Sequence, residues 1–168
     1  MLEVGQKAPE FKLKNDEGME VSLKDFKGKK VILYFYPKDD TPGCTKEACD
    51  FKDNQKKIAN ENAVVLGVSA DGVDSHVKFK KKYGLPFQLL SDPDKKMLQT
   101  YDVWKEKSMY GKKYMGIERS TFLISKDGTI KRIWRKVAVG GHVHEVLEAV
   151  IDLEIENQKI LDEKLKAL

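Results

Sequence analysis

The order of apolar segments predicts a single α/β domain, with a central mixed β-sheet flanked by helices. Three observations carry this. Val31-Ile32-Leu33-Tyr34-Phe35-Tyr36 is a continuous apolar run of strand length, the pattern of a strand covered on both faces. A helical stretch separates it from a second run, Ala63 to Ser69, as in a parallel strand–helix–strand unit with a right-handed crossover. Further on, Thr121 to Ser125 and Thr129 to Arg135 flank Lys126-Asp127-Gly128 as an antiparallel pair, and a long helix runs from His142.

The elements follow in order. Phe11 to Lys14 and Glu20 to Leu23 form a short N-terminal β-hairpin about Asn15-Asp16-Glu17-Gly18. Ser22 caps a brief helical turn through Phe26 that ends at Gly28. After the strand Val31 to Tyr36, the spacing predicts a helix over Thr45 to Asn60, then the strand Ala63 to Ser69. A helix over Val73 to Tyr83 turns Val73, Val77 and Phe79 or Lys80 toward the core. Gln88 to Ser91 is a short strand, and Lys95 to Tyr101 a further helix. A parallel unit, a later antiparallel pair and a closing helix point to a thioredoxin-like arrangement. Residues 1–151 make the domain, and 152–168 a helical extension of it.

Composition narrows the function classes. The 168 residues are 40% hydrophobic and 35% charged, with a net charge of only +4. The basic cluster Lys78-Phe79-Lys80-Lys81-Lys82-Tyr83 fits a solvated helix face with Phe79 and Tyr83 turned inward, so nucleic acid is not an expected partner. No apolar stretch is long enough for a signal peptide or a membrane span, so the expected location is cytoplasmic. In a reducing compartment two cysteines argue for chemistry rather than for a staple.

Those two cysteines, Cys44 and Cys49, lie five residues apart in Pro37-Lys38-Asp39-Asp40-Thr41-Pro42-Gly43-Cys44-Thr45-Lys46-Glu47-Ala48-Cys49. Cys44 falls at a helix start behind a buried strand. The helix dipole and the unpaired N–H groups of the first turn both favour thiolate over thiol there. If residues 44–49 are helical, their Cα atoms are about 8.6 Å apart and their side chains diverge by roughly 140°. A disulfide needs about 7 Å or less, so the pair closes only if the helix unwinds. That suits thiols that cycle, not a structural bridge. A zinc site lacks a second pair of nearby ligands, since His76, His142 and His144 are distant in sequence. Two inert buried thiols remain the plain alternative.

Thr41-Pro42-Gly43-Cys44-Thr45, preceded by Tyr34-Phe35-Tyr36-Pro37, resembles the peroxidatic-cysteine motif of peroxiredoxins. A second cysteine five residues on resembles the bacterioferritin-comigratory-protein, or peroxiredoxin Q, branch. Gly5-Gln6-Lys7-Ala8-Pro9-Glu10-Phe11, Gly67-Val68-Ser69-Ala70-Asp71, Tyr83-Gly84-Leu85-Pro86-Phe87 and Gly116-Ile117-Glu118-Arg119-Ser120-Thr121-Phe122 match in order, from about residue 3 to about 151.

The resemblance implies a thioredoxin-like fold and a thiol peroxidase acting on hydrogen peroxide and alkyl hydroperoxides, with no cofactor and no metal. Cys44 would be the nucleophile, and Cys49 would condense with its sulfenic acid to a disulfide that thioredoxin or a similar dithiol reduces. Thr41 would offer its hydroxyl to the peroxide and to the sulfur, and Arg119 a permanent positive charge. Pro37 would shield the site, and the N–H groups at Gly43 and Cys44 would face the sulfur. Glu47, one helical turn after Cys44, either holds Arg119 or simply places negative charge in the first turn. Trp104, Trp134, Tyr34 and Tyr36 read as packing residues, and His142 and His144 are not needed as bases. Two rival classes are a thioredoxin-like thiol–disulfide oxidoreductase, whose usual Cys-x-x-Cys spacing is missing, and a binding or holdase module whose cysteines only sense oxidation.

Past residue 151 the resemblance ends. Leu147, Ile151, Leu161, Leu165 and Leu168 recur at spacings of threes and fours, interrupted by Glu154 and Gln158. The tail is expected to extend the last helix and to pack its Leu161–Leu165–Leu168 edge against the chain's own body or a second subunit, leaving monomer and homodimer both open.

Overall fold

In the computed structural model, which describes residues 1–168, seven strands form one sheet. They are β1 Lys12–Asn15, β2 Glu20–Ser22, β3 Lys30–Phe35, β4 Ala63–Ser69, β5 Gln88–Ser91, β8 Ser120–Ile124 and β9 Ile130–Trp134, in the order β2-β1-β5-β4-β3-β8-β9. β3, β4 and β5 run parallel, and the outer pairings are antiparallel, so the sheet is mixed. A separate hairpin of β6 Trp104–Met109 and β7 Lys112–Ile117 stands outside it. The helices are α1 Pro42–Asp53, α2 Gln55–Asn60, α3 Val73–Tyr83, α4 Lys96–Thr100 and α5 His142–Lys166, and Leu23–Phe26 is a 3₁₀ turn.

The continuous apolar run of β3 has a simple cause. Alternate side chains enter two different cores. Ile32, Tyr34 and Tyr36 pack under α1, α2, α3 and α5, while Val31, Leu33 and Phe35 pack on the other face with Phe11, Leu98, Tyr101 and Phe122. Each such fully buried side chain contributes about 1.5–3 kcal/mol. Tyr34 pairs across the parallel ladder with Gly67. A β-carbon at Gly67 would lie 2.9 Å from the tyrosine ring, so that position needs glycine to admit Tyr34.

Several expectations are corrected. The helix after the motif starts at Pro42, not Thr45, and breaks at Asn54, so α1 and α2 replace one helix to Asn60. Asn54 leaves helical geometry, and its side-chain amide donates to the Asp50 carbonyl at 2.8 Å, satisfying an acceptor at the helix end. On α3 the inward residues are His76 and Phe79, whereas Val77 is exposed. The β6–β7 hairpin was not expected, because its strands are largely solvated on both faces and carry no apolar alternation. Its turn is Tyr110-Gly111, both at positive φ. Residues 152–168 do extend the last helix. Leu161, Leu165 and Leu168 are nevertheless 49%, 58% and 101% exposed, so they do not pack on the chain's own body. The helix has simply outrun the sheet beneath it: its last buried residue is Leu153.

Candidate active site

Strand β3 delivers the chain to α1 through residues 37–41, and Cys44 is the third residue of that helix. Thr41, in extended backbone, precedes the helix, and Pro42 takes the first position, where a missing N–H costs nothing. The N–H groups of Gly43 and Cys44 belong to the first turn and have no acceptor within the helix. Cys44 is 2% exposed and Cys49 is half-buried, and both are free thiols on one unbroken helix.

Arg119 reaches this sulfur from the junction of β7 and β8. Its carbonyl accepts from the Val137 N–H at 3.0 Å, its Nη2 donates to Cys44 Sγ at 3.4 Å, and its Nη1 donates to Glu47 Oε1 at 2.8 Å. A β-carbon at Gly43 would stand 3.1 Å from Nη2, so glycine lets the guanidinium lie close over the helix start. Glu47 is fully buried, and its Oε2 has no partner. Burial pushes its carboxyl up to about 7 against the pull of the Arg119 charge and hydrogen bond. Burial opposes the charge of Arg119 too, but Glu47 and Cys44 outweigh that and raise its pKa. The two shifts differ in origin. The whole desolvation cost of the carboxylate falls on Glu47, while the arginine side chain keeps 15% of its surface exposed.

The structure thus brings Cys44, Glu47, Arg119 and Gly43 together. It places Thr41 differently from expectation: Oγ1 donates to the Lys38 carbonyl at 2.8 Å rather than to the sulfur. That bond ties the loop to itself and leaves the oxygen's lone pairs as acceptors. Pro37 lines an open pocket of about 450 Å³ with Lys105, Lys107, Glu118, Arg119 and Lys136, which adjoins the site through Arg119 and is not lined by Cys44. Lys107 is a residue that sequence reasoning missed, since it sits on the unforeseen hairpin. Burial and the Arg119 charge lower its pKa. His142 and His144 do not form a pair. His142 shares a 2.8 Å hydrogen bond with Thr121, and burial pushes it down to about 4, while His144 is exposed beside Glu148. Tyr34 and Tyr36 are wholly enclosed in the core.

A thiol at a helix start, a permanent cation in contact with its sulfur and an open pocket on the far side of that cation can serve attack by sulfur on a small polar electrophile. Known proteins agree. The AhpC/TSA family matches residues 4–133. Over 152 residues, covering 90% of this chain and 97% of the relative, it is 55% identical to peroxiredoxin Bcp of Bacillus subtilis. It is 59% identical over 146 residues to a putative peroxiredoxin bcp of Coxiella burnetii, covering 87% of this chain and 97% of that one. Among solved structures, the bacterioferritin comigratory protein of Xanthomonas campestris, studied for alkyl peroxide reduction, superposes with a TM-score of 0.82 at 44% identity. That match covers 86% of this chain and 92% of the other. A peroxiredoxin Q mutant of Xylella fastidiosa gives 0.86 at 39% identity, over 90% and 97%. The chain belongs to the AhpC/TSA family, in its bacterioferritin-comigratory-protein branch.

Proposed function

We propose that this thiol peroxidase uses Cys44 as its peroxide-reactive thiol and Cys49 as the resolving thiol, with hydrogen peroxide and alkyl hydroperoxides as substrates. The observation that carries the reading is the Arg119 contact: a guanidinium 3.4 Å from Cys44 Sγ, held from behind by Glu47. The thiolate attacks the hydroxyl oxygen of the peroxide. An S–O bond forms, the O–O bond breaks, and the leaving oxygen takes the electron pair and then a proton. Cys44 becomes a sulfenic acid and the substrate an alcohol or water. Arg119 and the first-turn N–H groups of α1 stabilise charge on the reacting oxygens, and Thr41 offers an acceptor to the peroxide proton. Pro37 shields the site beside Arg119.

Cys49 then attacks the sulfenic sulfur, forming an S–S bond and releasing water. Because α1 holds both cysteines in one helix, its first turns must open for this step. A dithiol protein such as thioredoxin returns both thiols by exchange, and no cofactor or metal takes part.

Rapid mixing of reduced protein with hydrogen peroxide tests the assignment. Cys44→Ser should consume no peroxide. Cys49→Ser should consume one equivalent at the unmutated rate and then stop, even with thioredoxin and its reductase present. Equal loss of the first step in both variants would overturn the roles. A protein that only sensed oxidation would stop after one equivalent without any mutation.

A further inference from the structure

Residues 37–41 are pinned from beneath by a buried charge cluster that the peroxide chemistry leaves unused. Asp39 is the one buried residue of this loop, and His76, on the inward face of α3, is fully buried. His76 Nδ1 lies 2.7 Å from Asp39 Oδ2, and its Nε2 lies 2.9 Å from the Leu90 carbonyl on β5. Ser75 donates to the same Oδ2 at 2.8 Å, and the Tyr36 hydroxyl donates to Oδ1. The Asp39 N–H donates to Asp71 Oδ2 at 2.8 Å, which also accepts from the Ser69 hydroxyl at 2.8 Å. Ligand atoms of Asp39, Asp71 and His76 lie within 4.8 Å of one another, but each is already engaged in these hydrogen bonds.

Counting hydrogens narrows the charge. A carbonyl oxygen only accepts, so His76 Nε2 carries a proton. Asp39 already takes two hydroxyl donors, so one proton lies between its Oδ2 and His76 Nδ1. With that proton on Nδ1, His76 is an imidazolium paired with the Asp39 carboxylate, the arrangement that the surroundings of the imidazole favour. Burial alone would lower its pKa. The hydrogen bond and charge of Asp39, the Leu90 carbonyl and the Asp71 charge outweigh burial and raise it above 6.5. The ionisable groups that face it are Asp39, Asp71 and Tyr36. Burial keeps Tyr36 neutral, and β5 presents only the carbonyl. The next residue, Asp40, docks the loop on the same helix through Lys82 and Tyr83, but in water.

We propose that His76 and Asp39 are positioning residues for the peroxide reaction, their buried ion pair holding residues 37–41 so that Pro37 and Thr41 stand correctly beside the Cys44 sulfur. The inference rests on the assignment of Cys44 above. Neither residue touches substrate; they act through the loop. Thr41 is tied to the Lys38 carbonyl, which links the two ends of the segment, and Asp39 is its anchor into the core. Misplacement by a fraction of an ångström is enough to slow an oriented reaction.

The test is the rate of peroxide attack by a Cys49→Ser parent, which isolates the first step, from about pH 6 to about pH 10. The raised pKa sets the sign: the clamp is complete below the ordinary histidine value and is lost as pH climbs through the folded value. The parent rate should fall about tenfold on the alkaline side. His76→Gln keeps size and one donor but no charge. It should run about tenfold slower at neutral pH, with no further alkaline fall. Asp39→Asn should behave alike. Folded His76→Gln protein, judged by circular dichroism and melting, with the parent's rate and the parent's alkaline limb overturns the proposal. If neither variant folds, a parent profile without an alkaline fall overturns it. A parent inert to peroxide at every pH instead overturns the Cys44 assignment, and the clamp with it.

Discussion

Two of the ion pairs that join distant parts of this chain are built on opposite terms. At the site, Arg119 meets Glu47, and at the other end of the same sheet Lys30, the first residue of β3, meets Glu154 on α5. Lys30 is fully buried, but the Glu154 side chain keeps 33% of its surface in water. Its hydrogen bond to Lys30 outweighs its slight desolvation, and its carboxyl is held below the ordinary value. Glu47 has no such outlet. It is sealed, one oxygen lacks a partner, and its carboxyl rises to about 7. Ionising it costs on the order of 3 kcal/mol relative to a solvated carboxylate. The pair at Lys30 fastens a helix. The pair at Arg119 aims a cation at a sulfur and carries an electrostatic cost at the proposed reaction site.

Arg119→Met should show the largest effect. With no guanidinium at the sulfur, the rate constant for peroxide attack should drop about 100-fold or more in rapid mixing. Lys30→Met should leave that rate within about twofold, as expected for a residue outside the site. Comparable losses in both variants would erase the distinction between the pairs.

Stability should respond the other way round. Glu154→Gln strands the Lys30 ammonium under α5. A fully sealed pair broken in this way costs about 3–5 kcal/mol, and access of water on the Glu154 side should reduce that to roughly 2. Urea unfolding should record the loss, and Lys30→Met in the same chain should restore much of it.

The pH dependence has opposite signs at the two pairs. Glu47 is raised, so its contribution is complete below its unfolded value of 4.5 and is lost as pH rises through about 7. Glu154 is lowered, so its contribution is present above 4.5 and is lost as pH falls through its depressed value. Over the same window His142, pushed down to about 4, acts in the opposite sense, so the Glu47 contribution is read as a difference: the urea midpoint of wild type relative to Glu47→Gln should fall between about pH 5 and about pH 8, and Glu154→Gln should leave the wild-type profile there in place. A difference that grows in favour of wild type over this window would contradict the buried, half-satisfied carboxylate.

The smallest effect is expected from the end of α5. Deleting residues 155–168 spares Glu154 and removes exposed side chains, so melting should shift by no more than about 2 °C, with peroxide attack unchanged. Sedimentation of both forms decides the remaining question. A halved mass on deletion would mean that the Leu161–Leu165–Leu168 edge is covered by a second copy.

Much of this molecule was legible from local pattern. The run Val31 to Tyr36 reads as a doubly covered strand because every side chain in it is apolar, and Ala63–Ser69 and Gln88–Ser91 fall where the spacing puts them. Thr41-Pro42-Gly43-Cys44 announces a helix start carrying a thiol because a proline in a first turn and a thiol beside unpaired N–H groups are local physics. Hidden from that reading were the hairpin of β6 and β7, polar on both faces, and the inward His76, a charged residue on a helix whose apolar pattern pointed to Val77.

By itself the sequence determined the α/β class, the cysteine pair and its helical separation, since each depends on neighbours within a turn or a strand. Only the tertiary structure decided that Arg119 touches both Cys44 and Glu47, across 75 and 72 residues, and that Asp39 meets His76 across 37. It also decided that Thr41 bonds the Lys38 carbonyl and that the last three leucines lie beyond the sheet's reach. Side-chain pairing of this kind follows from strand order and register, which no local periodicity encodes. Whether a buried charge is satisfied depends on every element packed around it.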